Sequence, residues 1–190
     1  MADAGDPELA AQAAGGDAAA FEELVHRYHA RVLRWAMVIV GDRDDAADVA
    51  QNVWIRVYRD LADLRDPARF PAWLYRTAYR VACAFRRTDE RRSSILGAAN
   101  RSDLFAQAPS PAEGLDAERL EELLLAALAG LPPRQRAVYT LAELEERPMT
   151  EIAAILGIPA VTVRTNLFRA RRAVRAWILR THPGLGEDAR

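Results

Sequence analysis

The sequence contains no lysine, and its 26 cationic side chains are all arginine. Beside the abundant alanine, we read this as a composition bias and not as mechanism. A single cysteine, Cys83, excludes an intrachain disulfide and fits a reducing compartment. Long apolar runs are missing as well. Even residues 32–40 are too few for a membrane span and are interrupted by Arg34. The N-terminus is acidic and alanine-rich, without the basic start and apolar core of a secretory signal. The expectation is a soluble, cytoplasmic protein with no membrane insertion. Strand signals are nearly absent, and no Gly-rich phosphate loop, nucleophile elbow or zinc-ligand spacing is present. Of the three histidines, His26 stands at Glu-x-x-His spacing from Glu23. A di-iron site would need a second copy and two further inward glutamates. No catalytic residue, metal or cofactor is therefore expected.

What remains is helix and segmented charge. The 190 residues suit one large or two small domains, and the net charge of −1 hides strong local asymmetry. Acidic residues crowd 42–66 and 113–146, whereas 69–92 and 164–180 are basic, so two segments suit nucleic acid. Helical periodicity places a short helix over 6–14, ending at Gly15-Gly16. Asp17 then caps a long helix with an inner stripe of Phe21, Leu24, Val25, Tyr28, Val32, Trp35 and Ile39, stopped by Gly41. A helix over about 44–64 buries Val49, Val53, Val57 and Leu61. A third, over about 71–87, buries Leu74, Ala78, Val81 and Phe85. Residues 93–114 are small, polar and proline-bearing, and read as a flexible linker. Helices over about 115–130 and from Leu131-Pro132-Pro133 to before Pro148 follow. The expected fold is all-α: two small helical domains, 1–92 and 115–190, joined by the linker 93–114.

Residues 149–180 carry the sharpest signal. Thr150 is a plausible cap for a first helix with Ile152, Ala153 and Leu156 on one face, and Gly157-Ile158-Pro159 breaks it. A longer helix then sets Val163, Leu167, Ala170, Val174, Trp177 and Ile178 inward. Arg164, Thr165, Phe168, Arg169, Arg172 and Arg175 lie on its other side. This is a helix-turn-helix layout, whose second helix enters the DNA major groove. Arginines supply phosphate attraction and guanine contacts, while threonine and phenylalanine suit base edges and thymine methyls.

Two further faces stand out. On the 71–87 helix, Arg69, Arg76, Arg80 and Arg87 share one arc beside Trp73, Tyr79 and Cys83. Guanidinium groups follow phosphates and rings stack on exposed bases, so this stripe suits single-stranded DNA. Cys83 among these arginines is in a setting that lowers a thiol pKa, although a small helix residue is the ordinary reading. The 44–64 helix carries Asp45, Asp48, Gln51, Asn52, Arg56 and Arg59 outward. Ile55 lies among them, with Trp54 and Tyr58 at the edge, a composition that suits a protein-binding surface.

Together these segments resemble the extracytoplasmic-function sigma factors of bacterial RNA polymerase, in the right order over nearly the whole chain. Phe21-Glu22-Glu23-Leu24 with Tyr28 resembles the family's opening helix. The 45–54 segment, from Asp45 through Asp48 and Gln51 to Trp54, resembles the one that binds the polymerase β′ clamp helices. Phe70-Pro71-Ala72-Trp73-Leu74 through Arg87 resembles the helix that melts and reads the minus-ten element. Leu131 through Arg136, with Thr150-Glu151-Ile152-Ala153 and Thr162-Val163-Arg164-Thr165, resembles the domain that reads the minus-thirty-five element. The resemblance implies a transcription initiation factor and not an enzyme. Its partners would be core RNA polymerase (β′ clamp helices and β flap), promoter DNA and an anti-sigma factor. It implies polymerase contacts at Asp48, Gln51, Asn52, Trp54 and Ile55. Minus-ten contacts fall at Arg69, Trp73, Arg76, Tyr79, Arg80 and Arg87, and minus-thirty-five contacts at Thr162, Arg164, Thr165, Phe168, Arg169 and Arg172. The sequence departs from the family pattern at Arg80, where asparagine is usual, at Ala84, where aspartate is usual, and at Thr165-Asn166. Two rival readings are a free-standing helix-turn-helix regulator with an N-terminal interaction domain, and a helical-bundle metalloenzyme around Glu23 and His26.

Overall fold

A computed structural model describes residues 4–96 and 117–182, and all regular structure among them is helical. The chain divides into two compact units, Met1–Arg87 and Thr88–Arg190. The first holds α1 (Asp6–Ala14), α2 (Ala18–Val40), α3 (Arg43–Asp60), two 3-10 turns (Leu61–Asp63 and Pro67–Arg69) and the start of α4 (Phe70–Leu96). The second holds α5 (Ala117–Ala129), α6 (Pro133–Tyr139), a π turn (Thr140–Leu144), α7 (Met149–Leu156) and α8 (Ala160–Thr181).

Local chemistry sets the limits of α2 and α3. The Asp17 carboxylate accepts from the Ala19 and Ala20 amides, and Asp42 does the same for Asp44 and Asp45. Each such cap is worth about 1 kcal/mol. Gly41 ends α2 at φ 82, a left-handed conformation that glycine adopts without a Cβ clash. Helix α2 packs on α1 and α3. Leu24, Val32 and Ile39 from α2 are buried with Val49, Val53 and Val57 from α3 and Phe70 and Leu74 from α4. Two edge-to-face ring pairs seat α4 on α2: Tyr28 on Phe70 at 5.5 Å and Trp35 on Tyr75 at 4.6 Å. Such pairs add about 0.5–1.5 kcal/mol to the burial itself. Asp6 fastens α1 to α2, accepting from the Tyr28 hydroxyl and from Arg27 at 3.1 Å.

These ring contacts turn α4 relative to the expected stripe. Phe70, Tyr75 and Ala82 point inward with Leu74 and Ala78, whereas Val81 and Phe85 are only half-buried. The helix also starts one residue before Pro71 and runs to Leu96, four residues into the stretch expected as linker. Beyond Pro71 in its first turn, no glycine or proline occurs before Gly97. The rest of that stretch lies outside the described residues.

In the second unit α8 packs on α5, α6 and α7, burying Val163, Leu167, Ala170 and Val174 against a core that includes Leu128, Val138 and Ile152. Arg136 is buried there too, and its Nε donates to the Leu131 carbonyl at 2.7 Å. A buried cation is tolerated only with such partners, and this one braces the turn between α5 and α6. The helix expected from Pro133 to before Pro148 is not continuous. Helix α6 passes into the π turn, and the Arg147 amide folds back to the Leu141 carbonyl at 2.8 Å. Thr150 is not the cap of α7. Pro148 holds that position at φ −64, a value its ring presets, and Thr150 falls inside the first turn.

Candidate nucleic-acid interface

The helix-turn-helix is built as its sequence requires. Gly157 ends α7 at φ 64, and the Ile158 amide returns to the Ala153 carbonyl at 3.0 Å. Pro159 then opens α8, whose axis bends by 102° from that of α7. That angle lies in the range of DNA-binding helix pairs. Arg164, Thr165, Phe168, Arg169 and Arg172 are all exposed, and Thr162 is half-buried. Phe168 is 66% exposed, a large apolar ring without a place in the core. The side chains of Asn166 and Thr165 are tied back to the helix. The Thr162 carbonyl accepts from Asn166 Nδ2 at 2.8 Å, and the Thr165 hydroxyl donates to the Val161 carbonyl at 3.0 Å. Arg171, on the same exposed side, is held by Glu143 of the π turn, with Nη2 and Nε at 2.6 and 2.9 Å from one carboxylate oxygen. Sequence spacing carries no signal for that pair, because the partners lie 28 residues apart. Beside them, burial first and the Glu143 charge second push the Tyr139 phenol above its ordinary 10.0, against a lowering by Arg171. Val161, which sequence reasoning passed over, is 65% exposed. Its spacing from Thr165 and Phe168, one and two helical turns on, was the available signal.

On α4, Arg80 and Arg87 are exposed while Trp73, Arg76, Tyr79 and Cys83 are half-buried. This set lies on the side of the helix opposite Phe70, Leu74, Ala78 and Ala82, as the periodicity predicts. Arg87 Nε donates to the Cys83 carbonyl at 3.1 Å, which lays its side chain along the helix. Trp73 leans on Phe70 at 6.3 Å. Arg69 is the exception. It sits in the 3-10 turn before α4, paired at 3.2 Å with Asp66, because Asp66 caps that turn through the Ala68 amide. The shared arc on α4 therefore contains Arg76, Arg80 and Arg87, with Arg69 beside its entry.

On α3, Asp48, Gln51 and Asn52 are exposed, and Ile55 is 53% exposed. Trp54 differs from expectation. It is only 8% exposed, its indole N–H donates to His29 Nδ1 at 3.2 Å, and its ring stands edge-on to Phe21 at 6.1 Å. It supports the outer face from below. Tyr58 is the aromatic that faces outward, 70% exposed and edge-on to Phe21 at 5.2 Å. Glu23 is paired with Arg27 at 2.7 Å, and no metal-holding cluster of His, Cys, Asp or Glu occurs among the described residues. No single described helix is long and apolar enough to cross a membrane.

The chain matches the family models "Sigma-70 region 2" over residues 24–92 and "Sigma-70, region 4" over 121–174. It is 32% identical to the ECF RNA polymerase sigma-E factor of Escherichia coli, over 89% of this chain and 92% of that protein. Identity to the RNA polymerase sigma-H factor of Pseudomonas aeruginosa is 30%, over 89% of this chain and 91% of the relative. The ECF RNA polymerase sigma factor SigE of Mycolicibacterium smegmatis is 34% identical over 87% of this chain, which spans 65% of that relative's length. Among solved structures, CnrH in complex with the cytosolic domain of CnrY aligns with a TM-score of 0.66 and 28% identity, covering 91% of this chain and 96% of that one. RpoE of Bartonella quintana, solved with the anti-sigma factor NepR, shares the fold (TM-score 0.70, 19% identity, 83% of this chain and 96% of that one). Matches to both regions in one chain disfavour a free-standing helix-turn-helix regulator. The chain belongs to the extracytoplasmic-function sigma factors of the sigma-70 family, the initiation factors of bacterial RNA polymerase.

Proposed function

We propose that this protein docks on core RNA polymerase through the outer face of α3, opens and holds the minus-ten strand along α4, and reads the minus-thirty-five element with α8. The α3 face would present Asp48, Gln51, Asn52 and Ile55 to the β′ clamp helices, with Tyr58 added and Trp54 beneath them. Trp73, Arg76, Tyr79, Arg80 and Arg87, with Arg69 beside them, would take the displaced strand by phosphate attraction and stacking. Thr162, Arg164, Thr165, Phe168, Arg169 and Arg172 would face the duplex, with the second unit seated on the β flap. On this reading 1–92 and 115–190 are the two working domains and 93–114 spans between them.

The observation that carries the proposal is the outer face of α8. Its charges are all arginine, and they surround an exposed phenylalanine on the second helix of a helix pair bent by 102°. A solvated helix face normally mixes charge signs. Splitting the DNA contacts between two tethered units lets each bind weakly alone, and core polymerase, by engaging both on one promoter, would gain their combined affinity through effective concentration. A free chain of net charge −1, by contrast, should hold DNA poorly. The protein would act in the cytoplasm, as a binding factor and not an enzyme, and an anti-sigma factor would control it. The resemblance to CnrH, solved in complex with the cytosolic domain of CnrY, supports a protein partner that binds the sigma chain directly.

The test is a pull-down with core polymerase followed by run-off transcription from the promoter of the protein's own operon. Retention on core and a discrete transcript dependent on the added chain are expected. A chain that neither binds core nor directs a transcript would refute the proposal.

A further inference from the structure

Val161 has no place in the packing of the second unit. It lies in the first turn of α8 and is 65% exposed, beside a core that buries Val163 and Leu167 completely or nearly so. A β-branched residue gains nothing for the helix there, since its stiff side chain slightly lowers helix propensity. On the wheel Val161 shares one strip with Thr165 and Phe168. The Thr165 hydroxyl donates to the Val161 carbonyl at 3.0 Å, which turns that polar atom toward the helix backbone. Phe168 continues the strip, 66% exposed. Exposed Arg164, Arg169 and Arg172 flank it, so an occupant must offer an apolar spot within a strongly anionic frame. Duplex DNA does so in one place, the 5-methyl group of thymine in the major groove, lined by phosphates.

We infer that Val161 is a specificity-determining residue that reads a thymine methyl within the minus-thirty-five element. The inference rests on the proposed role of α8. Arginine and threonine account for phosphate and base-edge contacts on that face, and Phe168 offers an apolar ring further along the strip. Val161 adds a contact that distinguishes thymine from a base of the same hydrogen-bonding pattern without the methyl. Removing a methyl from such a contact weakens binding about four-fold, the worth of one buried CH₂ group.

The test uses holoenzyme reconstituted from core polymerase and the full chain, on promoter fragments selected from a pool randomised across the minus-thirty-five region. Each thymine in the selected element is then replaced singly by uracil, which removes only the methyl. Wild-type holoenzyme is expected to lose about four-fold in affinity at one such position, and Val161→Ala should bind thymine and uracil equally there. A paired Arg164→Ala, Arg172→Ala variant separates the two levels of the claim. If that pair leaves promoter affinity unchanged, the assignment of α8 to DNA is wrong and this inference falls with it. If the pair weakens binding but no position discriminates thymine from uracil through Val161, the inference about Val161 alone is overturned. Discrimination that survives in Val161→Ala and disappears in Phe168→Ala assigns the methyl contact to the ring and also overturns it.

Discussion

The indole N–H of Trp54 donates to Nδ1 of His29 at 3.2 Å, joining α3 to α2 and taking the largest side chain of the 44–64 helix off its surface. Ile55, the next residue, is left outward. The two therefore have opposite settings: one is packed into the unit, the other is open to solvent.

Substitution should separate them. Trp54→Ala is expected to destabilise the first unit by about 3–5 kcal/mol, the range for a buried tryptophan, measured by urea denaturation. Gln51→Ala with Ile55→Glu should leave that stability nearly unchanged and weaken core-polymerase binding about ten-fold or more, since it places an unpaired charge in an interface. Unaltered core affinity in a titration would remove α3 from the polymerase interface.

The reversal at Trp54 shows how far the sequence could be read. The stripe Val49, Val53, Val57 and Leu61 predicts the buried side of α3 and of the 3-10 turn that follows it, and all four are buried. Trp54 lies on the flank of that stripe, where burial depends on Phe21 and His29, residues far away in the chain. No local pattern contains that information. The same holds for Arg69, whose position follows from the Asp66 cap, and for the π turn, which divides a segment of unbroken helical periodicity. Outward positions on α4 and α8 were legible because periodicity alone separates them from the core. Val161 was legible in principle, at helical spacing from Thr165 and Phe168, but an apolar residue next to a helix start reads first as core.

Arg171 and Arg172 are neighbours with different surroundings. Arg171 is held by Glu143 at 2.6 Å, whereas Arg172 is exposed on the outer face. Arg172→Ala should lower the salt slope of promoter binding by about one unit, the signature of one lost phosphate contact. Arg171→Ala should change it less, because its charge is already partly answered. The pair itself is exposed and contributes only about 0–1 kcal/mol to stability. Equal slopes for both variants would show that Glu143 does not withhold Arg171 from DNA.

The second unit should lose stability in alkali. Burial raises the Tyr139 phenol above 10.0 in the folded state, so the unfolded chain releases that proton first. The stabilisation is complete below about pH 10 and is lost as pH rises toward the folded value. Tyr139→Phe should flatten the decline of stability between about pH 9 and pH 11 in denaturant titrations. An unchanged pH profile would mean that Tyr139 titrates as it does in the unfolded chain.

Where the family resemblance leads one to expect an asparagine that both donates and accepts, Arg80 offers a group that only donates. A minus-ten preference loose at one base is expected, with steep salt sensitivity of promoter opening. Arg80→Asn should reduce that sensitivity, as read by permanganate reactivity across a salt series. A sharp wild-type preference at every base, with no change of slope on substitution, would separate Arg80 from DNA.

On the proposed division of contacts, promoter recognition belongs to this chain only on the polymerase. The direct measurement is the affinity of the full chain for its promoter fragment and for a scrambled fragment, with and without core polymerase, in one salt condition. The chain alone should bind weakly and without preference, with promoter-specific retention and strand opening once core is added. Tight, sequence-specific binding by the chain alone, unchanged by core, would contradict it.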